Sequence, residues 1–283
     1  MNLVFVINDN YVEQLIVALF SIKKNTVCND INAYVLENDL TEDHILKLQE
    51  FAKKININIT FEHIDNSIFL NLPTMRNDKT MTAYFKLLIA NKFKFLDKIL
   101  YLDCDLICQG DILELYNLET NKFISGVIDE KINKMNNHKE QIGMLANFDY
   151  INTGVLLYDF NNISDKDLNA YISKYSNVIK WHDQDIINGL YYDSIGYLID
   201  KFNKLVISLN PFRTLSLNKA IILHFANWKP WNSNYIGFKK KQYYRYYQEA
   251  QKVIELSFYN KSKFKDKIVF FSNLLRRKLC KKF

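Results

Sequence analysis

One segment of this chain reads Lys98-Ile-Leu-Tyr-Leu-Asp103-Cys104-Asp105, an apolar run followed by two carboxylates. The run has the length and composition of a strand that is buried on both faces of a sheet. On an extended chain, Asp103 and Asp105 share one face and Cys104 points to the other. Because open α/β sheets bind ligands at the carboxyl ends of their strands, the segment predicts a buried strand with a binding site at its end.

Segments with the periods of strands and helices alternate on both sides of this run. They predict an α/β fold with a mostly parallel central sheet flanked by helices. A long polar segment, residues 129–150, has no clear period and is predicted to be a functional loop. The predicted strands are residues 3–7, 31–36, 55–62, 98–102, 123–128, 154–158 and 220–224, and the predicted helices are residues 11–24 and 82–92, helices that begin at Thr41 and Ser164, and residues 185–191.

The composition is that of a globular protein. The 283 residues are 48% hydrophobic and 24% charged, which excludes disordered and fibrous classes. Nowhere does an apolar run reach the roughly 18 residues of a membrane span, and the N-terminus, which starts directly with a strand, predicts no secretory leader. The cysteines have no spacing typical of disulfides or zinc, so we expect reduced thiols in a cytoplasmic protein. They are Cys28, Cys104, Cys108 and Cys280.

Charge is distributed unevenly along the chain. Residues 239–283 carry 14 Lys or Arg and 3 Asp or Glu, a net charge of +11, which leaves −5 on the remainder. The sequence therefore predicts a main domain over residues 1–245 and a basic tail over residues 246–283. Such asymmetry favours an anionic partner for the tail.

The tail also has the pattern of an amphipathic helix. Among the basic residues of 261–283, Ile268, Phe271, Leu275 and Leu279 fall at helical spacing on one face. This pattern predicts a helix that lies on an anionic membrane surface, although packing of the apolar face on the body is the alternative. No groove-reading motif accompanies the charge, so nucleic acid is not an expected partner.

Asp103 and Asp105 are hard oxygen ligands of the kind that Mn²⁺ and Mg²⁺ prefer. An Asp-x-Asp tripeptide has two other interpretations. It can be a pair of solvated aspartates that closes a strand. It can also belong to a phosphatase in which Asp103 is the nucleophile.

Four further motifs accompany the Asp-x-Asp segment. In chain order they are Asn8-Asp9-Asn10-Tyr11, Asn152-Thr153-Gly154, His182-Asp183-Gln184-Asp185 and His224-Phe-Ala-Asn227-Trp-Lys229-Pro-Trp231. Together and in this order the five motifs resemble glycosyltransferase family 8, the group that contains bacterial lipooligosaccharide galactosyltransferases and glycogenin.

The resemblance covers residue 1 to about 235 and implies a GT-A fold. It also implies a UDP-sugar donor, Mn²⁺ or Mg²⁺, and transfer with retention of anomeric configuration. The implied metal ligands are Asp103, Asp105 and His224, with the ion bridging both phosphates of the donor. Lys229 would add a positive charge to the same diphosphate.

The resemblance also implies where the donor binds. Asn8, Asp9, Asn10 and Tyr11 would hold uracil and ribose, with Tyr11 stacking on the base. Lys86 would contact the sugar or phosphate side of the donor. The donor- and cofactor-binding residues that the resemblance implies are Asn8, Asp9, Asn10, Tyr11, Lys86, Asp103, Cys104, Asp105, Asn152, Thr153, Gly154, Asp183, Gln184, His224, Asn227 and Lys229.

By the same resemblance, Asn152, Asp183 and Gln184 are the catalytic residues around the transferred hexose. Asp183 would accept hydrogen bonds from sugar hydroxyls. Gln184 would lie nearest the anomeric carbon, on the face opposite the leaving group. A strong carboxylate nucleophile at this position would form a covalent intermediate. An amide is a poor nucleophile, so a front-face route is at least as well supported, and both routes stay open.

Three positions depart from the family pattern. Asn8 stands where relatives often have aspartate, and Lys86 replaces an arginine, which keeps the charge but loses the bidentate reach. The last motif has Asn227 for glycine and one residue fewer before Lys229. These departures leave open a nucleotide-sugar-binding protein without turnover.

The function predicted from the sequence is that of a retaining hexosyltransferase. It would move galactose or glucose from a UDP-sugar to a glycan acceptor, a lipid-linked lipooligosaccharide or lipopolysaccharide core. The basic tail and the family resemblance together predict peripheral association with the inner face of the cytoplasmic membrane.

Overall fold

A computed structural model describes residues 1–69, 72–73, 81–135, 137–206, 218–226, 229–232 and 239–256. The described residues form two sheets and several helices. The strands are β1 (Asn2–Val6), β2 (Asn32–Glu37), β3 (Asn58–His63), β4 (Lys98–Leu102), β5 (Leu106–Cys108), β6 (Ile124–Ile128), β7 (Ile151–Asp159), β8 (Ile195–Leu198), β9 (Lys204–Leu205) and β10 (Ile222–His224).

The helices of the described residues lie between these strands, except for the last helix, which follows β10. The α-helices are α1 (Val12–Asn25), α2 (Glu42–Lys54), α3 (Ile89–Lys92), α4 (Leu113–Tyr116), α5 (Glu130–Asn133), α6 (His138–Gln141), α7 (Leu168–Tyr175), α8 (His182–Tyr191) and α9 (Lys240–Ala250). Short 3₁₀ helices span Asp9–Tyr11, Asn66–Phe69, Thr82–Leu88, Phe160–Asn162, Ser176–Val178, Tyr192–Ser194 and Asp200–Phe202.

The central sheet has seven strands in the order β3-β2-β1-β4-β7-β6-β8. All neighbouring pairs are parallel except those of β7, which runs antiparallel to both β4 and β6. Six strands therefore point the same way and one is reversed. The predicted mostly parallel α/β fold is confirmed, with β7 as the exception.

Apolar residues cover both faces of this sheet, as the uninterrupted apolar runs predict. In β1, Leu3 and Phe5 pack against α1 in one buried cluster, whereas Val4 joins a second cluster on the opposite face. Tyr101 of β4 belongs to that second cluster together with Ile186 of α8. The molecule is thus layered as helix, sheet, helix.

A three-stranded sheet, in the order β5-β10-β9, begins where β4 ends. A bend at Cys104 and Asp105 separates β4 from β5. β5 then pairs antiparallel with β10, so that Leu106 lies opposite His224. The Asp-x-Asp segment therefore lies at the junction of two sheets and does not simply extend β4.

Several element boundaries differ from those predicted. The helix expected from Ser164 begins at Leu168, because the side chain of Asp167 accepts a hydrogen bond from the Ala170 N–H (2.9 Å) and caps it. The polar segment 129–150 contains two short helices, α5 and α6.

The C-terminal part of the described chain also belongs to the body. Helix α9 crosses residue 245, and its buried Tyr246, Tyr247 and Ala250 pack into the core cluster around α1. Ile254 and Leu256 belong to the same cluster. Residues 246–256 therefore pack with the main domain, and the rest of the predicted tail lies outside the described residues. Of the helices described, none has both the length and the apolar character that crossing a membrane requires.

We predict that Asp167→Ala lowers the free energy of unfolding by about 1 kcal/mol, because the first turn of α7 loses its capping acceptor. The matched control is Ser164→Ala, which removes the residue favoured by the sequence pattern but leaves the cap intact. Urea denaturation of the two variants measures the difference. Equal stability losses would show that Asp167 is not the effective cap.

Candidate functional site

The predicted motifs meet in one cleft with a volume of about 380 Å³. It lies where the carboxyl ends of β1 and β4 meet the amino ends of β7 and α8. The lining includes most residues predicted from the sequence, namely Asn8, Tyr11, Lys86, Asp103, Cys104, Asp105, Asn152, Thr153, Gly154, Asp183, Gln184, His224 and Lys229.

Asp103, Asp105 and His224 form a compact group at the junction of the two sheets. One ligand atom from each residue lies within 4.8 Å of the others. His224 Nε2 is 3.6 Å from Asp103 Oδ2 and 3.1 Å from Asp105 Oδ1. Asp105 Oδ1 is buried and has no hydrogen-bond partner among the described residues. A divalent cation fits this donor set, because two carboxylates and an imidazole converge and one buried oxygen is left unsatisfied.

Backbone hydrogen bonds hold the Asp-x-Asp segment on both sides. The Asp103 N–H donates to Gly154 O at 2.8 Å, and the Phe225 N–H donates to Asp105 O at 2.8 Å. The first bond ties the end of β4 to β7, and the second ties the start of β5 to the end of β10. The two aspartates are therefore positioned by the main chains of both sheets.

Lys86 lies between two sides of the cleft. We call the side with Asp103, Asp105 and His224 the metal side and the side with Asp183 and Gln184 the sugar side. Its ammonium is 3.0 Å from Asp103 Oδ1 and 2.9 Å from Asp183 Oδ2. Burial by itself lowers the pKa of Lys86, but the two carboxylates outweigh burial and raise the pKa above its ordinary value. Asp103 Oδ1 also accepts a hydrogen bond from the Tyr101 hydroxyl at 2.6 Å.

Lys229 pairs with Asp105 on the other side of the group. The same ammonium donates to the carbonyls of Phe225 (3.2 Å) and Ala226 (3.3 Å). Burial by itself raises the pKa of Asp105, yet the neighbouring Lys229 ammonium lowers it, and the pKa lies well below its ordinary value. Asp105 is therefore a carboxylate and available as a cation ligand.

The side chains expected around a hexose form one hydrogen-bonded set. Gln184 Oε1 accepts from Asn152 Nδ2 at 3.1 Å and from the Thr153 N–H at 3.2 Å. The Thr153 hydroxyl donates to Asp183 Oδ2 at 3.0 Å, and Gln184 Nε2 donates to Asp129 Oδ2 at 3.4 Å. Asn152 therefore contacts Gln184 directly, and Asp183 is joined to them through Thr153.

Asp185 holds the amino end of α8 in place. It is fully buried, and its Oδ1 accepts from the Tyr150 hydroxyl at 2.7 Å and lies 2.8 Å from His138 Nε2. Its Oδ2 accepts from the backbone N–H groups of Lys180 (2.7 Å) and Trp181 (3.0 Å). This network fixes the turn that delivers Asp183 and Gln184 to the cleft.

Two residues of the Asn8-Asp9-Asn10-Tyr11 motif do not line the cleft. Asp9 faces α2, where its Oδ1 lies 2.6 Å from His44 Nδ1 and accepts from the Thr41 N–H at 3.1 Å. Asn10 is exposed, and its N–H donates to Asn8 Oδ1 at 3.1 Å. The structure therefore brings Asn8 and Tyr11 to the cleft but not Asp9 or Asn10. Asn227 lies outside the described residues.

The model of glycosyl transferase family 8 matches residues 2–235, which include all five motifs. The chain belongs to glycosyl transferase family 8. This membership favours glycosyl transfer over the phosphatase interpretation of Asp103.

Individual relatives agree with the family. A putative glycosyltransferase of Haemophilus influenzae is 30% identical over 210 residues, which cover 72% of this chain and 63% of that protein. The chain thus matches less than two thirds of that relative's length. Lipopolysaccharide 1,2-glucosyltransferase of Escherichia coli K12 is 25% identical over 253 residues, which cover 82% of this chain and 73% of that protein.

A solved structure of a galactosyltransferase has the same fold. The crystal structure of galactosyltransferase LgtC in complex with donor and acceptor sugar analogs superposes with a TM-score of 0.77 at 22% identity. The match covers 88% of this chain and 96% of LgtC. The GT-A fold implied by the sequence resemblance is confirmed.

Sequence reasoning missed Asn203 and Asp129. Asp129 follows the predicted strand 123–128, and its position at a strand end is a signal that could have found it. Asn203 lies between the 3₁₀ helix Asp200–Phe202 and β9, where no local pattern distinguishes it. Its side chain contacts both His224 and Asn152, at 2.9 and 2.8 Å.

Gly154 lies against two side chains of the cleft. A Cβ on Gly154 would lie 2.1 Å from His224 Cε1 and 2.9 Å from Asp103 Oδ2. Glycine at this position therefore makes room for the side chains of His224 and Asp103.

We predict that Gly154→Ala displaces His224, with a stability loss of about 1–3 kcal/mol and much weaker binding of Mn²⁺. The control is Gly110→Ala, whose Cβ would meet Ile221 Cγ1 at 3.3 Å, away from the cleft. Thermal unfolding and titration with Mn²⁺ alone measure the two effects. Wild-type metal affinity in Gly154→Ala would contradict the proposed packing of His224.

Proposed function

We propose that this chain is a retaining hexosyltransferase that uses a divalent cation and a UDP-sugar donor. The observation that carries the proposal is the convergence of Asp103, Asp105 and His224 beside Asp183 and Gln184. A cation site and a set of sugar-binding groups in one cleft are the two parts that the reaction requires. When bound, Mn²⁺ or Mg²⁺ would act as a Lewis acid on the departing diphosphate.

The charge of the cleft supports a cation-dependent donor. Among the described residues, three carboxylates (Asp103, Asp105 and Asp183) line it together with two ammonium groups (Lys86 and Lys229). A diphosphate would meet net negative charge there unless a divalent cation were present. Asp103, Asp105 and His224 are therefore proposed to hold that cation, and Lys229 to contact the diphosphate.

The nucleoside is proposed to bind near Asn8 and Tyr11. The ring of Tyr11 contacts Trp231 edge-on, with centroids 6.1 Å apart, which restrains the tyrosine for stacking on a base. Asn8 is buried, and its Oδ1 caps the following 3₁₀ helix. Asp9 would act indirectly, by joining the end of β1 to α2.

A front-face displacement agrees best with the environment of Gln184. Its Oε1 already accepts two hydrogen bonds, and an amide is a weak nucleophile. Asp183 is paired with Lys86 and with the Thr153 hydroxyl. In the proposed route, the acceptor oxygen attacks on the face of the leaving group, whose phosphate oxygen takes the acceptor proton. Asp183 and Gln184 orient the hexose.

The proposed acceptor is a lipid-linked glycan of the lipopolysaccharide class. Relatives with such names include lipopolysaccharide 1,2-glucosyltransferase of Escherichia coli and lipopolysaccharide 1,3-galactosyltransferase of Salmonella typhimurium. Galactose and glucose are the corresponding candidate donor sugars. The basic tail supports peripheral association with the inner face of the cytoplasmic membrane, where such an acceptor is built.

The decisive experiment measures UDP release from a panel of UDP-sugars with Mn²⁺, and again after addition of a chelator. We expect slow, metal-dependent hydrolysis of UDP-galactose or UDP-glucose in preference to the others. Asp103→Asn and Asp105→Asn should reduce release to the chelated level, because each removes a charged ligand, while the thermal unfolding transition persists.

Other outcomes would identify the alternatives. UDP binding without release, even when glycan acceptors are added, would indicate a nucleotide-sugar-binding protein. Release of inorganic phosphate with trapping of Asp103 would indicate a phosphatase. Metal-dependent activity near the wild-type level in either asparagine variant would contradict the assigned metal site.

We predict that deletion of residues 261–283 releases the protein from anionic liposomes while activity on a soluble acceptor persists. Each basic residue near an anionic surface contributes about 1 kcal/mol of binding. A full-length control with Arg276, Arg277 and Lys278 changed to Gln should bind more weakly but not dissociate completely. Sedimentation with liposomes measures both proteins, and unchanged sedimentation of the truncated protein would contradict membrane binding by the tail.

A further inference from the structure

Asn203 joins the metal side of the cleft to its sugar side. It is 2% exposed and lies just before β9. Its Oδ1 is 2.9 Å from His224 Nδ1, and its Nδ2 is 2.8 Å from Asn152 Oδ1. One buried amide therefore contacts both a cation ligand and a residue of the sugar-binding set.

The backbone determines the direction of these hydrogen bonds. The Gly154 N–H can only donate, and it donates to Asn152 Oδ1 at 3.0 Å, so the oxygen of Asn152 must lie at that position. The amide that faces this oxygen from Asn203 must then be its nitrogen, which leaves Asn203 Oδ1 facing His224. An acceptor at that position requires a proton on His224 Nδ1.

A proton on Nδ1 leaves the lone pair of neutral His224 on Nε2. That nitrogen faces Asp103 and Asp105 at 3.6 and 3.1 Å, and both of these are acceptors. Three acceptors that face one another repel unless a cation lies between them. The contact with Asn203 thus selects the tautomer that a metal ligand needs.

The same chain of amides continues to Gln184. Asn152 Nδ2 donates to Gln184 Oε1, which the Thr153 N–H independently identifies as the oxygen. Gln184 Nε2 then donates to Asp129, whose other carboxylate oxygen caps α5. Every group donates in the same direction, from the imidazole of His224 to a fixed carboxylate.

We propose that Asn203 is a positioning residue that orients His224 for the cation and, through Asn152, orients Gln184 for the donor sugar. The proposal rests on the proposed function, because it needs a cation at His224 and a hexose at Gln184. It adds that the two halves of the cleft share one hydrogen-bonded relay, made of Asn203, Asn152, Gln184 and Asp129. Substitution of Asn203 should therefore affect metal binding through its contact with His224 and turnover through its contact with Asn152.

Two substitutions test the two contacts of Asn203 separately. Asn203→Leu has a similar size and removes both hydrogen bonds. Asn203→Asp keeps an acceptor for His224 Nδ1–H but cannot donate to Asn152. With aspartate there, Asn152 either faces another oxygen or turns over and loses the Gly154 N–H bond. Gln184 then loses its orientation while His224 keeps its own.

The experiment titrates Mn²⁺ into metal-free protein without donor and separately measures kcat for donor hydrolysis at saturating Mn²⁺. We expect Asn203→Leu to weaken Mn²⁺ binding about 10- to 100-fold. Asn203→Asp should bind Mn²⁺ as tightly as wild type or more tightly, yet show a kcat lowered about 10-fold or more. A purely structural role of Asn203 would not produce this separation.

The matched control is Asn188→Leu. Asn188 is fully buried and makes three hydrogen bonds, to Ile151 N, Ile151 O and Gln184 O, but it does not contact His224. Its loss should lower the melting temperature at least as much as Asn203→Leu, without changing the Mn²⁺ affinity of the folded protein.

The outcomes distinguish the relay from the function on which it rests. If wild type binds neither Mn²⁺ nor Mg²⁺, the cation site fails and the relay fails with it. If wild type binds Mn²⁺ and hydrolyses a UDP-sugar but Asn203→Leu binds Mn²⁺ equally well, the relay alone is wrong. Equal kcat in Asn203→Asp and wild type would disprove that Asn203 orients Gln184 through Asn152.

Discussion

Repulsion among three carboxylates in one cleft is the constraint to which the rest of the structure responds. Asp105 and Asp183 are nearly buried, so water screens them poorly, and a buried charge without a partner is costly. Lys86 lies between Asp103 and Asp183, and Lys229 lies against Asp105. The ammonium groups hold the carboxylates together, but among the residues that the structure describes one negative charge remains in excess. That excess is what makes the cleft suitable for a divalent cation and, after it, a diphosphate.

The junction of the two sheets gives this charge cluster its geometry. Asp103 and Asp105 are each hydrogen-bonded through the main chain to a different sheet, by Gly154 and Phe225. Because both bonds involve backbone atoms, the main-chain positions of the two aspartates do not depend on neighbouring side-chain rotamers. The absence of a Cβ at Gly154 then lets the imidazole of His224 approach. Preorganisation of this kind reduces the reorganisation needed when a ligand binds.

Local sequence patterns predicted the elements whose burial is uniform. The apolar runs at β1, β2 and β4 are hydrophobic on both faces, and the structure buries them on both faces. The start of α7 was predicted less well, since both Ser164 and Asp167 are good capping residues and only the folded chain selects between them. Asp9 shows the same limit at the site, because a polar residue after a strand can face the cleft or a neighbouring helix.

The sequence by itself determined the alternation of strands and helices, the carboxylates at the end of β4 and the excess of basic residues after residue 239. These features depend on the period of apolar residues and on residue type, which a short window of sequence contains. Tertiary structure decided the reversed direction of β7, the approach of His224 to Asp105 and the place of Asn203 between His224 and Asn152. Each of these joins residues far apart in the chain. Their contact depends on how whole layers pack, and the free energy of that packing is a property of the complete fold.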